Sequence, residues 1–138
     1  KSCKYLKWGK KIPVHNAGTP IRNWLHAGDT AAAIIKIIES GTRNEIYNIS
    51  GDYEQSNIET VQQIIKLSGK NYHIFLDDGV PYAEDYDDYI DLSFNRKGQD
   101  VRYAIDDSKL KNLGWSTTKV FKDELPEIVN YYKENFIW

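Results

Sequence analysis

The feature that most constrains this sequence is a helix start signal near its middle, the run Ser56-Asn57-Ile58-Glu59. A serine followed three residues later by a glutamate is a capping box, in which each side chain satisfies a backbone N–H of the first turn. Apolar residues then recur at helical spacing, namely Ile58, Val61, Ile64 and Ile65, and Gly69 ends the run. The sequence therefore predicts an amphipathic helix of about three turns with one face packed on a core.

Shorter segments on either side of this helix alternate between strand-like and helical patterns. Strands are predicted at residues 11–15, 21–27, 45–50, 73–76 and 102–106. Helices are predicted from a cap at Asp29 or Thr30 to Gly41, at residues 107–113, and from about Asp123 onward. This alternation predicts an α/β fold with α+β character, and the short strands favour a small mixed sheet with flanking helices.

Composition limits the class of protein. A length of 138 residues predicts a single domain, and a net charge of -2 provides no basic field for nucleic acid. No apolar run approaches the roughly 20 residues of a membrane span, and no signal-peptide core follows the basic N-terminal region. The single cysteine, Cys3, excludes an internal disulfide and fits a reducing compartment. We therefore expect a cytoplasmic protein with neither nucleic-acid nor membrane partners.

No complete active site of a familiar kind is written in the sequence. It has no GxGxxG fingerprint for a dinucleotide, no P-loop, and no tyrosine followed four residues later by a lysine. The acidic run between residues 77 and 91 matches no EF-hand spacing, so a solvated mobile loop is favoured over a divalent-cation site. His15, His26 and His73 share no ligand spacing, so no metal site is predicted.

Arg22, Arg96 and Arg102 are the candidates for holding an anion. Arg22 lies in a predicted strand among apolar residues, and the other two arginines bracket a turn at Gly98. A guanidinium that leaves water must find an anion, because the lost solvation of its charge is costly. From spacing alone, an internal salt bridge is favoured for each arginine, and binding of an anionic ligand is the alternative.

Segments in consistent order resemble the extended short-chain dehydrogenases. They are KKIPVHNAGTPIRNWLHAGDTAAAI, NEIYNISGDYEQSNIETV, NRKGQDVRYAIDDSKLKNLGW and the closing VNYYKENFIW. They cover about residues 10–138, and within the family they are most similar to the dTDP-glucose 4,6-dehydratases. The resemblance implies that residues 1–138 form the C-terminal, nucleotide-sugar-binding domain of such an enzyme, a lyase of carbohydrate biosynthesis.

The ligand that the resemblance implies is a hexose linked to dTDP or UDP. Arg22 and Arg96 match the two arginines that bind the pyrophosphate in the family. A permanently charged, planar guanidinium suits phosphate oxygens, so chemistry and resemblance agree on these positions. Arg102 and Tyr103 are expected to hold the surrounding loop and strand in place.

Further residues are implied at the nucleotide. Asn57 matches an asparagine that contacts the nucleotide in the family, and Pro13 and His15 match the strand that contacts the base. His15 stands where the family has a tyrosine. Gln99 stands where the family has a histidine beside the second arginine.

The resemblance also implies a missing half. In the family, an N-terminal Rossmann domain binds NAD and supplies the catalytic tyrosine, lysine and acid–base residues, which have no counterpart in this sequence. We therefore expect no catalytic residue and no cofactor on this chain, which would be a fragment, one part of a split enzyme or a truncated product. We expect it to associate with an NAD-binding partner chain or with itself. A related epimerase or decarboxylase, and a non-catalytic binding module, stay open as alternatives.

Overall fold

The computed structural model describes residues 1–70, 76–77, 80–81 and 88–135. Its helices are α1 (Ser2–Lys7), α2 (Ala27–Ser40), α3 (Asn57–Leu67), α4 (Ser108–Lys111) and α5 (Phe121–Glu134). Its strands are β1 (Ile12–Pro13), β2 (Ile21–Trp24), β3 (Tyr53–Ser56), β4 (Leu76–Asp77), β5 (Val80–Pro81) and β6 (Ile90–Asp91). A short 3-10 turn spans His15–Gly18.

The strands form short pairs rather than one wide sheet. β1 runs parallel to β6, with Ile12 opposite Ile90, and β2 runs antiparallel to β3, with Arg22 opposite Gln55. β4 and β5 form a further antiparallel pair, and a single parallel bridge joins β2 to Arg102. Parallel and antiparallel pairs with helices beside them confirm the predicted mixed α/β class.

Helix α3 forms as the capping box predicts. The backbone N–H of Glu59 donates to Ser56 Oγ at 3.3 Å, and the N–H of Ser56 donates to Glu59 Oε2 at 2.9 Å. The Ser56 hydroxyl also donates to Glu59 Oε2 at 2.6 Å, and this bond together with that from the Ser56 N–H lowers the pKa of Glu59, because both favour its ionised form. The inner face of α3 places Ile65 in a core with Leu6 and Val14. Leu6 lies on α1, and Val14 is the residue that follows β1.

A second core lies between α2 and α4. Ala33, Leu110 and Trp115 are its buried members. Asp29 closes this core, since its carboxylate is only 2% exposed and accepts hydrogen bonds from Thr118 N, Thr118 Oγ1 and Lys119 N at 3.1, 2.7 and 3.0 Å. Burial raises the pKa of Asp29, but the hydrogen bonds from the hydroxyl and the two amides outweigh it and hold that pKa below its usual value.

The predicted cap of α2 at Asp29 or Thr30 is wrong, because the Asp29 side chain bonds to Thr118 and Lys119 instead of capping the helix. The helix begins at Ala27, and its cap is His26, whose Nδ1 accepts the N–H of Gly28 at 3.0 Å. Asp29 and Thr30 lie inside the first turn. Helix α5 likewise begins at Phe121 rather than at Asp123, and α4 is shorter than predicted. Helix α1 and strand β3 were not predicted.

Several predicted strands are shorter than expected or absent. Residues 45–50 form no strand, and residues 102–106 contribute only one bridge, from Arg102 to Ile21 of β2. β1 stops at Pro13 because the backbone turns left-handed at Asn16 and Ala17, with φ of 54° and 52°. Of the strand predicted at 73–76, residues 73–75 lie outside the described residues, as does most of the acidic run.

No helix in the described part of the chain is long and apolar enough to span a bilayer.

The outer face of α2 exposes large apolar side chains. Ile34, Ile35 and Ile38 are 48%, 55% and 78% exposed, and Ile38 follows the other two at helical spacings that place all three on one side. Ile46, 82% exposed, lies in the loop after the helix. Exposed apolar clusters of this kind mark contact surfaces.

We predict that the chain self-associates through the α2 face. Removing clustered isoleucines from water stabilises a contact, so sedimentation velocity should show species larger than a monomer as concentration rises. Replacing Ile38 by Glu should restore the monomer, whereas Lys133→Glu at the far end of α5 should not. A monomer at every concentration would contradict the prediction.

We predict that Asp29→Asn lowers the free energy of unfolding by about 2–3 kcal/mol at neutral pH, because an amide cannot accept all three hydrogen bonds. Since the pKa of Asp29 is depressed in the folded state, its stabilising effect is full above the unfolded pKa and disappears as the pH falls through the folded value. The difference from wild type in urea unfolding should therefore shrink below about pH 4. Asp123→Asn, an exposed residue in the first turn of α5, is the control, and a constant difference across pH would argue against the assignment.

Candidate functional site

A cavity of about 810 Å³ opens between β1, the β2–β3 pair, α3 and α5. Pro13, His15, Asn57 and Gln99, all predicted from the sequence, line its wall. Arg22 and Arg96 are not in the lining, but each is bonded to a segment that is. The structure therefore gathers residues separated by more than eighty positions around one concave site.

His15 and Arg96 are joined through the turn that follows β1. Asn16 Oδ1 accepts the backbone N–H of Arg96 at 2.7 Å, and Asn16 Nδ2 donates to the carbonyl of Arg96 at 3.1 Å. The N–H of Asn16 donates to the carbonyl of Phe94 at 2.9 Å, and the Phe94 ring lies 5.5 Å from the His15 ring. The side-chain amide of Asn16 thus fixes the loop that carries Arg96 beside His15, which lines the cavity.

The same turn is pressed against the start of α3. Gly18 has a φ of 71°, and a Cβ at this position would lie 2.6 Å from Ile58 Cβ and 2.8 Å from Ile58 N. The N–H of Asn57 donates to the carbonyl of Pro20 at 3.1 Å. Only a glycine allows this approach, which places Asn57 on the same wall as His15.

Gln99 carries an unusual polar atom. Its side-chain oxygen, Oε1, is buried, and no hydrogen-bond donor among the described residues reaches it. A buried acceptor without a donor costs about 1–3 kcal/mol, so it is a natural place for a ligand N–H or O–H. Gln99 lies in the cavity wall, three residues after Arg96.

Arg22 is held by backbone and ring rather than by a carboxylate. Its Nη1 donates to the carbonyls of Ile21 and Asp100 at 2.7 and 3.1 Å, and its guanidinium carbon lies 4.3 Å from the centre of the Tyr103 ring. Within the described ranges, Arg22 forms no salt bridge. The interpretation of Arg22 as one half of an internal ion pair is therefore wrong for the described part of the chain.

Arg96 and Arg102 also differ in whether a described carboxylate pairs with them. The Arg102 guanidinium binds Glu54 on β3 with two nitrogens, at 3.1 Å from Nε and 2.7 Å from Nη2 to Glu54 Oε2, so the predicted salt bridge forms there. This pair raises the pKa of Arg102 and anchors the segment after Gly98 to the β2–β3 pair. The Arg96 side chain is exposed, and none of the described carboxylates pairs with it.

The apolar half of the cavity was missed by sequence reasoning. Trp24 lines the cavity, and its ring lies 5.7 Å from the Phe121 ring. Phe121 stacks on Tyr53 at 4.8 Å with nearly parallel rings. The sequence could not predict this cluster, because the three rings come from β2, β3 and α5, and the sequence does not show that these elements are adjacent.

A charged cluster borders this apolar half. His26 Nε2 lies 3.8 Å from Glu124 Oε2, and Lys119 Nζ lies 2.9 Å from Glu124 Oε1. All three residues line the cavity, so its wall is apolar with a few polar groups, as small-molecule sites usually are. No group of His, Cys, Asp and Glu within the described residues has the arrangement of a metal site.

Comparison with known proteins shows the family to which the chain belongs. The family profile described as GDP-mannose 4,6 dehydratase matches residues 4–128. Because the match spans most of the chain, the chain belongs to this family of sugar-nucleotide dehydratases and epimerases, and the resemblance seen in the sequence is confirmed.

Within the family, the chain is similar to dTDP-glucose 4,6-dehydratases. It is 36% identical over 135 residues to the enzyme of Neisseria meningitidis, covering 94% of this chain and 36% of that protein. The solved dTDP-glucose 4,6-dehydratase of Bacillus anthracis, in complex with NAD, is 34% identical with a TM-score of 0.78, over 97% of this chain and 38% of that one. That of Streptomyces venezuelae, with NAD and TDP bound, is 27% identical with a TM-score of 0.80, over 97% and 37%. The chain thus spans little more than a third of the length of the relatives it matches.

We predict that Gly18→Ala lowers the free energy of unfolding by about 2–4 kcal/mol, since it adds a clash with Ile58 to the strain of a left-handed backbone. Gly69→Ala is the matched control. Its φ of 69° is similar, but its Cβ would meet nothing within 4 Å, so it should cost only about 1 kcal/mol. Equal losses for the two variants in urea unfolding would show that the turn does not press on α3.

Proposed function

We propose that this chain is the nucleotide-sugar-binding portion of an NAD-dependent nucleotide-sugar 4,6-dehydratase of the dTDP-glucose type. Residues 1–138 would form one binding domain, which holds the nucleoside diphosphate of a dTDP- or UDP-linked hexose. The remainder of such an enzyme, with its NAD site, would come from the rest of a longer protein or from another chain.

The observation that carries the proposal is the pair of arginines without carboxylate partners beside the cavity. Arg102 is neutralised by Glu54, whereas Arg22 and Arg96 are matched by no carboxylate among the described residues. Two such guanidiniums next to a cavity provide the charge and the planar donors that a pyrophosphate needs. Asn16 fixes the backbone of Arg96, and the carbonyl of Asp100 holds the side chain of Arg22, so these parts need little rearrangement on binding.

The cavity wall beside the arginines suits a nucleobase. His15 offers a ring face, Pro13 an apolar edge, and the side chains of Asn57 and Gln99 both donors and acceptors. The Oε1 of Gln99, which has no donor among the described residues, can accept an N–H from a nucleobase. This supports a nucleotide as the ligand, and the choice of dTDP or UDP rests on the resemblance to the family.

The chemistry that NAD supplies in such enzymes is reversible hydride transfer at the sugar. The Bacillus anthracis and Streptomyces venezuelae relatives were solved with NAD bound. In our proposal the residues of this chain bind and orient the substrate, and they neither bind NAD nor transfer protons.

We predict that Arg22→Ala and Arg96→Ala each weaken dTDP binding by roughly 1.5–3 kcal/mol, the usual range for hydrogen bonds to charged groups. Calorimetric titration, or NMR titration if affinity is low, would measure the change. Arg43→Ala is the control, because Arg43 is an exposed arginine in the loop after α2.

The variants also give a second readout. If the arginines contact phosphate, binding of dTDP should weaken with salt in the wild type and less steeply in either variant. Unchanged dTDP affinity in both variants would contradict the proposed pyrophosphate site. Equal losses in Arg43→Ala would mean that only the overall charge matters.

A further inference from the structure

We infer that Tyr103 is a positioning residue for Arg22: its ring orients the guanidinium for phosphate binding without touching the ligand. The inference deepens the proposed function and rests on it. It begins from the contact between the two side chains, in which the guanidinium carbon lies 4.3 Å from the ring centre.

The contact covers one face of the guanidinium. Aromatic rings attract cations over their faces, and arginine stacks on them more often than lysine does. Tyr103 is 53% exposed, so its ring is a half-open surface rather than a core side chain. A tyrosine with this exposure contributes little to a core. The main contact described for Tyr103 is therefore its contact with Arg22.

Backbone carbonyls fix one edge of the same guanidinium. Nη1 donates to the carbonyls of Ile21 and Asp100, and no acceptor among the described residues is bonded to Nε or Nη2. A guanidinium held at one edge and on one face keeps its other nitrogens in a fixed direction. A bidentate contact with phosphate then loses less side-chain freedom than a mobile arginine would.

Tyr103 is itself held in register with Arg22. The N–H of Ile21 donates to the carbonyl of Val101 at 2.8 Å, and a parallel bridge pairs Ile21 with Arg102. Arg102 binds Glu54, which lies opposite Asn23 in the β2–β3 pair. The ring and the guanidinium therefore project from adjacent segments whose alignment is fixed by backbone bonds and an ion pair.

The test compares Tyr103→Phe, which keeps the ring, with Tyr103→Ala, which removes it. NMR of the full chain would follow the Arg22 Nε–Hε and δ-proton resonances, which a ring beneath them shifts upfield, and titration would give the dTDP affinity. We expect Tyr103→Phe to retain both the upfield shift and the affinity within about twofold. Tyr103→Ala should lose the upfield shift and bind dTDP about three- to tenfold more weakly. Tyr131→Ala is the matched control, since Tyr131 is 54% exposed on α5.

A double variant separates positioning from a general loss of structure. If Tyr103 acts through Arg22, Tyr103→Ala should have no further effect on dTDP affinity in an Arg22→Ala background. Additive losses, an unchanged Arg22 resonance, or wild-type affinity in Tyr103→Ala with Arg22→Ala impaired would each overturn the inference. If Arg22→Ala and Arg96→Ala both bind normally, the proposed function fails, and the resonance shift still decides whether Tyr103 orients Arg22.

Discussion

The amide of Asn16 bonded to both backbone groups of Arg96 is the interaction on which the candidate site depends. It joins positions 80 residues apart, and it does so from a turn whose backbone is left-handed at Asn16, Ala17 and Gly18. A left-handed alanine is unfavourable by about 1–2 kcal/mol, and the amide pair with Arg96 helps to offset that strain. Without this turn, the backbone of Arg96 would lose both of its bonds to Asn16, the residue that follows His15 in the cavity wall.

The charges around the site distinguish Arg102 from Arg22. Arg102 and Glu54 neutralise one another on the β2–β3 pair, and this ion pair aligns the segment that bears Gln99. Arg22 keeps its charge uncompensated by any described carboxylate and rests on Tyr103 instead. The two arginines therefore differ in their neighbours, and in our proposal only Arg22, which has no described carboxylate partner, is available to an anionic ligand.

The sequence predicted structure that depends on residues close together in the chain, but not contacts between residues far apart in it. The capping box of α3 was predictable because its partners are three residues apart, and family resemblance named the six candidate binding residues, which stay predictions. The salt bridge of Arg102 could not be told from the ring contact of Arg22, because Glu54 lies 48 positions from its partner. The cap of α2 was misread because Asp29 bonds to residues 118 and 119, and residues 45–50 pair with no strand in the described part of the chain.

The central claim is that this chain binds a nucleoside diphosphate in the cavity beside Arg22 and Arg96. The most direct measurement is an NMR titration of the wild-type chain with dTDP, with thymidine and inorganic pyrophosphate as partial ligands. The account predicts saturable shifts at Asn57 and Gln99 with thymidine, at Arg22 and Arg96 with pyrophosphate, and at all four with dTDP, which should bind more tightly than either part. No saturable change with millimolar dTDP, or changes confined to residues away from the cavity, would contradict it.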